Sequence, residues 1–196
     1  MDDRLILSNV ARHVDLDSSE AAYFVSLLSF RHLRKKERLL EAGQPCAHIN
    51  FVAAGILRAF YQTATLREAT IMFAVADWWI TDMPCFVSGQ PAMITLEALE
   101  DSAVWQLSKE DLDTLYNKVP KFERFFRILM QNAYVREQLR TLQNLSQSAD
   151  ERYERFLEKY PAFVQQAPQK YIASYLGITP EFLSALRKRR ADLKLP

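Results

Sequence analysis

The stretch that decides the reading is Gln169–Lys188, QKYIASYLGITPEFLSALRK. Ala173 is small, as a residue must be where two helices cross closely. Gly177, four residues later, can take the left-handed conformation that ends a helix. Ile172, Leu176 and Ile178 face a core, and Leu183 and Leu186 return to it at helical spacing. Thr179 is a good N-cap. Pro180 suits the first helical position, where its missing N–H costs nothing. Two helices and a tight turn in so short a span are the layout of a helix-turn-helix. The second helix runs into Arg187-Lys188-Arg189-Arg190. Cations complement the C-terminal end of a helix dipole, so a solvated charged face is one reading. Four in succession exceed that need, and beside a helix-turn-helix they read as phosphate contacts.

Upstream of this motif the pattern is helical back to Ser108. Ser148-Ala149-Asp150-Glu151 reads as a helix start, with the helix running to Tyr160 and Pro161 ending it. Pro120 opens a long helix to about Asn144. On it Phe122, Phe126, Leu129 and Ala133 form one apolar stripe, and Ile128, Val135, Leu139 and Leu142 form a second, displaced around the axis. Two stripes need two partners, which a β domain of the same chain and a second copy of the chain can supply. The alternative is a helix buried wholly within one molecule. Ser108-Lys109-Glu110-Asp111 caps a further helix carrying Leu112 and Leu115.

From Phe30 to Leu107 the period changes. Short runs rich in β-branched and aromatic residues, His48–Val52, Ile56–Tyr61, Thr70–Ala74 and Met93–Ala98, predict a sandwich or barrel. Before them, Ser18-Ser19-Glu20 predicts a serine-capped helix through Leu28.

Composition sets the outer bounds. The chain has 196 residues, 49% hydrophobic and 25% charged, which excludes disordered, collagen-like and disulfide-scaffold classes. Through Pro120 there are 11 Lys and Arg against 16 Asp and Glu, and from Lys121 onward 14 against 8. The basic excess thus sits with the helix-turn-helix. No apolar run approaches the roughly 20 residues of a membrane span. Met1-Asp2-Asp3-Arg4 lacks the basic and apolar regions of a signal peptide. A cytoplasmic location and no membrane partner are the expectation. Cys46 and Cys85 are too few for a thiolate cage around a metal, and His13, His32 and His48 are scattered. No cofactor or metal is expected. No Gly-rich phosphate loop or nucleophile elbow is visible, so no enzymatic activity is expected either.

Three further segments carry a family resemblance. Leu39-Leu40-Glu41-Ala42-Gly43-Gln44 through Phe51-Val52-Ala53-Ala54-Gly55 resembles a pair of turn glycines around a strand. Asp77-Trp78-Trp79-Ile80 resembles the entry to a phosphate-binding cassette, and Glu97-Ala98-Leu99-Glu100-Asp101-Ser102 the strand and turn after it. With the long helix and the helix-turn-helix in the same order, the chain resembles the Crp/Fnr superfamily of bacterial transcription regulators, and within it the small regulators of Bacteroidetes-type genomes. The resemblance implies an α+β fold: a cyclic-nucleotide-binding-like β roll (a double-stranded β-helix or jelly roll) with flanking helices at residues 1–118, a dimerisation helix at 119–147, and a winged-helix-like helix-turn-helix domain at 148–196. It implies a homodimer that binds double-stranded DNA and contacts RNA polymerase. Only Ala191–Pro196 remain for the β wing that usually follows the recognition helix, so a short or missing wing is expected.

In that docking mode Thr179, Pro180, Glu181, Ser184 and Ala185 face the major groove. Glu181 can accept from a cytosine amino group, and Ser184 can bond either kind of base edge. Gln169, Lys170, Arg187, Lys188, Arg189 and Arg190 are the expected backbone contacts. The cassette departs from the family. Nucleotide-binding members carry a Gly-Glu pair for the ribose and an Arg-Ser pair for the cyclic phosphate. Here those places hold Thr81-Asp82 and Ala92-Met93, with no arginine. A buried phosphate without a cation or N–H nest is costly, so cyclic AMP and cyclic GMP are not expected to bind in the family's manner. Arg58 and Arg67 are expected to be exposed. Trp78, Trp79, Met83, Phe86 and Met93, around Asp82 and Ala92, either fill the roll or form a pocket for an uncharged small-molecule effector. A ligand-binding or protein-interaction module with a vestigial helix-turn-helix is the other reading of the whole chain.

Overall fold

The computed structural model describes residues 2–161, 163–165 and 167–193. The elements run α1 (Arg4–Ala11), α2 (Ser18–Ser26), β1 (Ser29–Leu33), β2 (Arg38–Leu40), β3 (His48–Ala54), β4 (Ile56–Gln62), β5 (Glu68–Val75), β6 (Trp79–Ile80), α3 (Met83–Ser88), β7 (Thr95–Ala98), β8 (Ser102–Ser108), α4 (Lys109–Lys118), α5 (Lys121–Ser146), α6 (Ala149–Lys159), a 3-10 turn (Phe163–Gln165), α7 (Gln169–Leu176) and α8 (Pro180–Leu193). Two compact units result. One is Met1–Tyr61 with Met72–Ala133, the other Gln62–Ile71 with Tyr134–Pro196. The long helix is therefore shared between the units rather than forming a segment of its own, and the tip of the β4–β5 hairpin belongs with the C-terminal helices.

The first unit is a β roll of two four-stranded sheets, ordered β1-β8-β3-β6 and β2-β7-β4-β5. Strand alternation sorts its apolar residues into two cores. Val52, Ile80 and Val104 turn inward with Leu33, Leu57, Ala59, Ala74, Leu96 and Ala98. Their neighbours Phe51, Trp79 and Trp105 turn outward, into a second core with Ile6, Val10, Phe24, Leu115, Phe122, Phe125 and Phe126. Antiparallel pairing of β3 with β8 keeps this sorting in register, Phe51 opposite Trp105 and Val52 opposite Val104. Each fully buried Phe removes enough apolar surface to contribute about 2–3 kcal/mol, so the outer core is a main source of this unit's stability.

The helix starts follow capping chemistry, with one correction. Ser108 accepts from the Asp111 N–H, and Ser148 forms a capping box with Glu151. The cap of α2, however, is Asp17 rather than a serine, with Glu20 closing the box. A carboxylate accepts two backbone N–H groups at once, Ser19 at 2.8 Å and Glu20 at 2.9 Å, and moves the start one residue back. Helices α1 and α3 carry too short an apolar period to stand out in the sequence. Residues 194–196, part of the expected short wing, lie outside the described residues, and α8 continues to Leu193.

Gly55 joins β3 to β4 at φ +83°, and a Cβ there would lie 2.3 Å from Ser102 Oγ and 2.8 Å from Asp101 O. Gly43 has φ +87° but open space around it. Replacement of Gly55 by Ala should therefore destabilise the roll by about 3 kcal/mol, against about 1 kcal/mol for Gly43→Ala. Urea denaturation of both variants followed by circular dichroism checks the order.

Candidate functional site

The cassette is built around Asp82. It stands at the N-cap of α3, and its side chain is 1% exposed. One oxygen accepts from Cys85 N at 3.2 Å, the other from Met93 N at 2.7 Å and Ile94 N at 3.0 Å. All three backbone donors are thereby satisfied within the chain. The carboxylate is thus a structural bracket joining the start of α3 to the returning chain. Ala92 is buried, and it exchanges backbone bonds with the preceding loop: Gly43 N to Ala92 O at 2.8 Å and Ala92 N to Gln44 O at 2.9 Å.

The aromatic residues beside it divide. Trp78 packs with the inward core, near Met72 and Ile94. Trp79 lies on the opposite side of β6, and this removes it from the expected pocket. Its indole N–H donates to Asn9 Oδ1 at 3.0 Å, and its ring meets Phe51, Phe125 and Phe126 edge to face. Asn9 Nδ2 donates to Asp77 Oδ1 at 2.9 Å, and Arg12 holds the same carboxylate with two bonds. That network holds Asp77 at φ +74°, a left-handed turn immediately before the two indoles. Met83 and Phe86 also belong with the outer core, and Met93 is 59% exposed. Of the expected pocket residues, Trp78 packs against the inward core, while Asp82 and Ala92 are buried beside the start of α3 and the loop before β3.

Arg58 departs from expectation. It is 0% exposed, within 3.9 Å of Glu97 and 4.2 Å above the Phe60 ring. It shares a face of β4 with Phe60, opposite the inward-facing Leu57 and Ala59, so it is turned away from the roll interior. Arg67 is exposed, as expected.

In the second unit α6, α7 and α8 enclose Tyr153, Phe156, Tyr160, Ile172, Ala173, Leu176, Leu183 and Leu186, all buried. Gly177 ends α7 at φ +68°. Thr179 opens α8, its Oγ1 accepting from Phe182 N at 3.2 Å. Burial of Leu183 and Leu186 leaves Glu181, Ser184, Ala185 and Lys188 exposed at positions i, i+3, i+4 and i+7, one face of the helix. Thr179 and Pro180 are exposed at its N-terminal end, and Gln169 and Lys170 at the start of α7. The Glu181 carboxyl is held below the usual carboxylate range by its own backbone N–H and the Thr179 hydroxyl. The basic run is not uniform. Lys188 is exposed and Arg187 half-buried, whereas Arg189 reaches Asp150 at 3.4 Å and Arg190 pairs with Glu154. Two of the four cations are thus committed to α6.

Sequence reasoning missed Ser174. Its hydroxyl accepts from Thr70 N at 2.8 Å and donates to Glu68 O at 2.8 Å, tying the hairpin tip to α7. Nothing local marks it, because its partners lie more than a hundred residues away in the chain. On α5, Phe125 joins the buried stripe. Val135, Leu139 and Leu142 form the other stripe and are 51% to 58% exposed.

Comparison with known proteins agrees with this layout. Residues 30–119 match the cyclic nucleotide-binding domain family. The chain is 26% identical over 170 residues to the fumarate and nitrate reduction regulatory protein of Vibrio cholerae, covering 80% of this chain and 66%, just under two thirds, of that protein. The c-di-GMP-responsive global regulator CLP of Xanthomonas campestris shares the fold with a TM-score of 0.72 at 14% identity, over 90% of this chain and 93% of that one. A protein from Eubacterium rectale assigned to the Crp/Fnr family of transcriptional regulators shares it with a TM-score of 0.71 at 18% identity, over 91% and 85%. Among the described residues no helix is long and apolar enough to cross a membrane. A β roll of this kind, followed by a long helix and two short helices joined by a tight turn, is the layout this chain shares with these regulators.

Proposed function

We propose that the chain is a sequence-specific DNA-binding transcriptional regulator that works as a homodimer. The observation that carries this reading is the exposed face of α8, where Glu181, Ser184, Ala185 and Lys188 align beyond a capped turn. Thr179, Pro180, Glu181, Ser184 and Ala185 would meet base edges. Gln169, Lys170, Arg187 and Lys188 would meet phosphates. Arg189 joins them by opening a solvent-exposed ion pair, a weak restraint. Genome-wide capture of bound DNA fragments tests the reading, and a single recurrent palindrome is the expected product. The commitment of Arg189 and Arg190 to α6 favours a second reading, a binding module with a vestigial helix-turn-helix. Absence of salt-dependent DNA binding would select it.

Phosphate contact has a further signature. Arg187→Ala with Lys188→Ala should weaken binding to all sequences and flatten the slope of log K against log salt by roughly 1 per lost contact on each subunit. Arg190→Ala should change the slope less, because its charge is already compensated. Fluorescence anisotropy across a salt series measures both.

The exposed stripe Val135, Leu139 and Leu142 supports an isologous helix pair, the simplest closed assembly. Purified protein should sediment at about twice its monomer mass at micromolar concentration. Leu139→Glu with Leu142→Glu should shift it to monomer and reduce DNA affinity in parallel, as read by analytical ultracentrifugation and anisotropy.

The effector this cassette suits is an uncharged aromatic or aliphatic molecule. The roll interior is apolar, and the cassette's N–H donors are taken by Asp82. Cyclic AMP and cyclic GMP should show no saturable binding below about 1 mM, a binding free energy of only about −4 kcal/mol. Asp82→Ala should lower stability by about 3 kcal/mol, by leaving buried N–H groups unpaired, and should create no nucleotide site. Isothermal titration and thermal melts check both statements.

A further inference from the structure

The chain has two cysteines, Cys46 and Cys85. They lie in different elements and far apart in sequence, and the fold brings them together beside the cassette. Cys46 is in the loop before β3 and Cys85 in the first turn of α3; both are free thiols. The Cys46 thiol is near enough to Cys85 to push the Cys85 thiol up, alongside the larger effect of burial. Cys85 Sγ also lies 4.0 Å from Gln44 O, two residues before Cys46. Cys46 Sγ lies 3.2 Å from Thr81 Oγ1, four residues before Cys85. Each thiol thus contacts the segment that carries the other. The reciprocal backbone bonds of Gly43 and Gln44 with Ala92 hold the loop against the cassette.

We propose that Cys46 and Cys85 form an oxidant-responsive dithiol site that closes to an intramolecular disulfide on reaction with hydrogen peroxide or another hydroperoxide. The two thiols have distinct roles. Cys46 is half-exposed, so it meets the oxidant. Cys85 is 1% exposed, and burial and the adjacent thiol push it up, so it stays protonated and resolves. The Cys46 thiolate attacks a peroxide oxygen. The O–O bond breaks, and the departing hydroxide takes up the proton that Cys46 released, giving water and a sulfenic acid. The Cys85 sulfur then attacks the Cys46 sulfur. The S–O bond breaks, and hydroxide leaves with the Cys85 proton as a second water. Two thiols lose two hydrogens and two electrons, and one peroxide is reduced to two waters. The product would tie the loop before β3 covalently to α3, whose start Asp82 brackets. This site stands independently of DNA binding.

The test uses the reduced full-length protein with a small molar excess of hydrogen peroxide, followed by intact mass measurement and non-reducing peptide mapping. The expected result is loss of the mass of two hydrogens, one peptide linking Cys46 to Cys85, and full reversal by dithiothreitol. In Cys85→Ser the sulfenic acid on Cys46 should persist and be trapped by dimedone. In Cys46→Ser, Cys85 should remain unmodified at the same dose. Oxidation of Cys46 to sulfinic acid in the wild type while Cys85 stays free would overturn the proposal. So would a disulfide joining two chains, or two thiols still free at the dose that oxidises Cys46 in Cys85→Ser.

Discussion

One buried carboxylate organises the β-roll unit of this protein. Asp82 caps α3 and receives the backbone N–H groups of Met93 and Ile94. A buried N–H without an acceptor costs roughly 1–3 kcal/mol. Three such donors gathered at one place demand an anion, and here the chain supplies its own. An exogenous phosphate would have to displace a side chain that is already covalently present and already satisfied.

The roll around this bracket depends on the alternation of its strands. Adjacent residues face opposite cores, so one turn decides which of two indoles enters which. Asp77 makes that turn in a left-handed conformation, held by Asn9 of α1 and by Arg12 just after it. The result sends Trp79 outward, where Asn9 satisfies its N–H, and leaves Trp78 with the inner core. A buried polar network of this kind is acceptable only when every member is paired, and Asn9 meets that condition by bonding on both its oxygen and its nitrogen. The same logic applies to Arg58, whose burial is accompanied by Glu97 and the face of Phe60.

In the helical unit the constraint is different. Its core joins aliphatic side chains to an aromatic cluster, with Phe156, Tyr160 and Tyr175 in mutual contact. Those large side chains fill the space between short helices. The polar work falls to single residues that reach across: Ser174 to the hairpin tip, Arg152 to Leu176 O, and Arg140 to Ile71 O. The outward face of α8 is free of such duties near its start and burdened by them near its end, where Arg190 meets Glu154.

The sequence by itself determined the elements with strong local signatures. Gly177, Thr179 and Pro180 specify the turn between two helices, because left-handed backbone, hydroxyl capping and a missing N–H are each satisfied at one position only. Ser108 and Ser148 mark helix starts, and the spacing of Leu183 and Leu186 marks the buried side of α8, for the same local reasons. The family order of the motifs was equally legible. Tertiary structure alone decided the roles of Trp79, Arg58, Asp82, Ser174 and Arg190. Each takes its meaning from a partner remote in the chain, and periodicity reports which face a residue occupies but not what waits there. A carboxylate that reads as a ligand contact is consumed by backbone N–H groups eleven and twelve residues on, and a cation that reads as a phosphate contact is consumed by an acid on another helix.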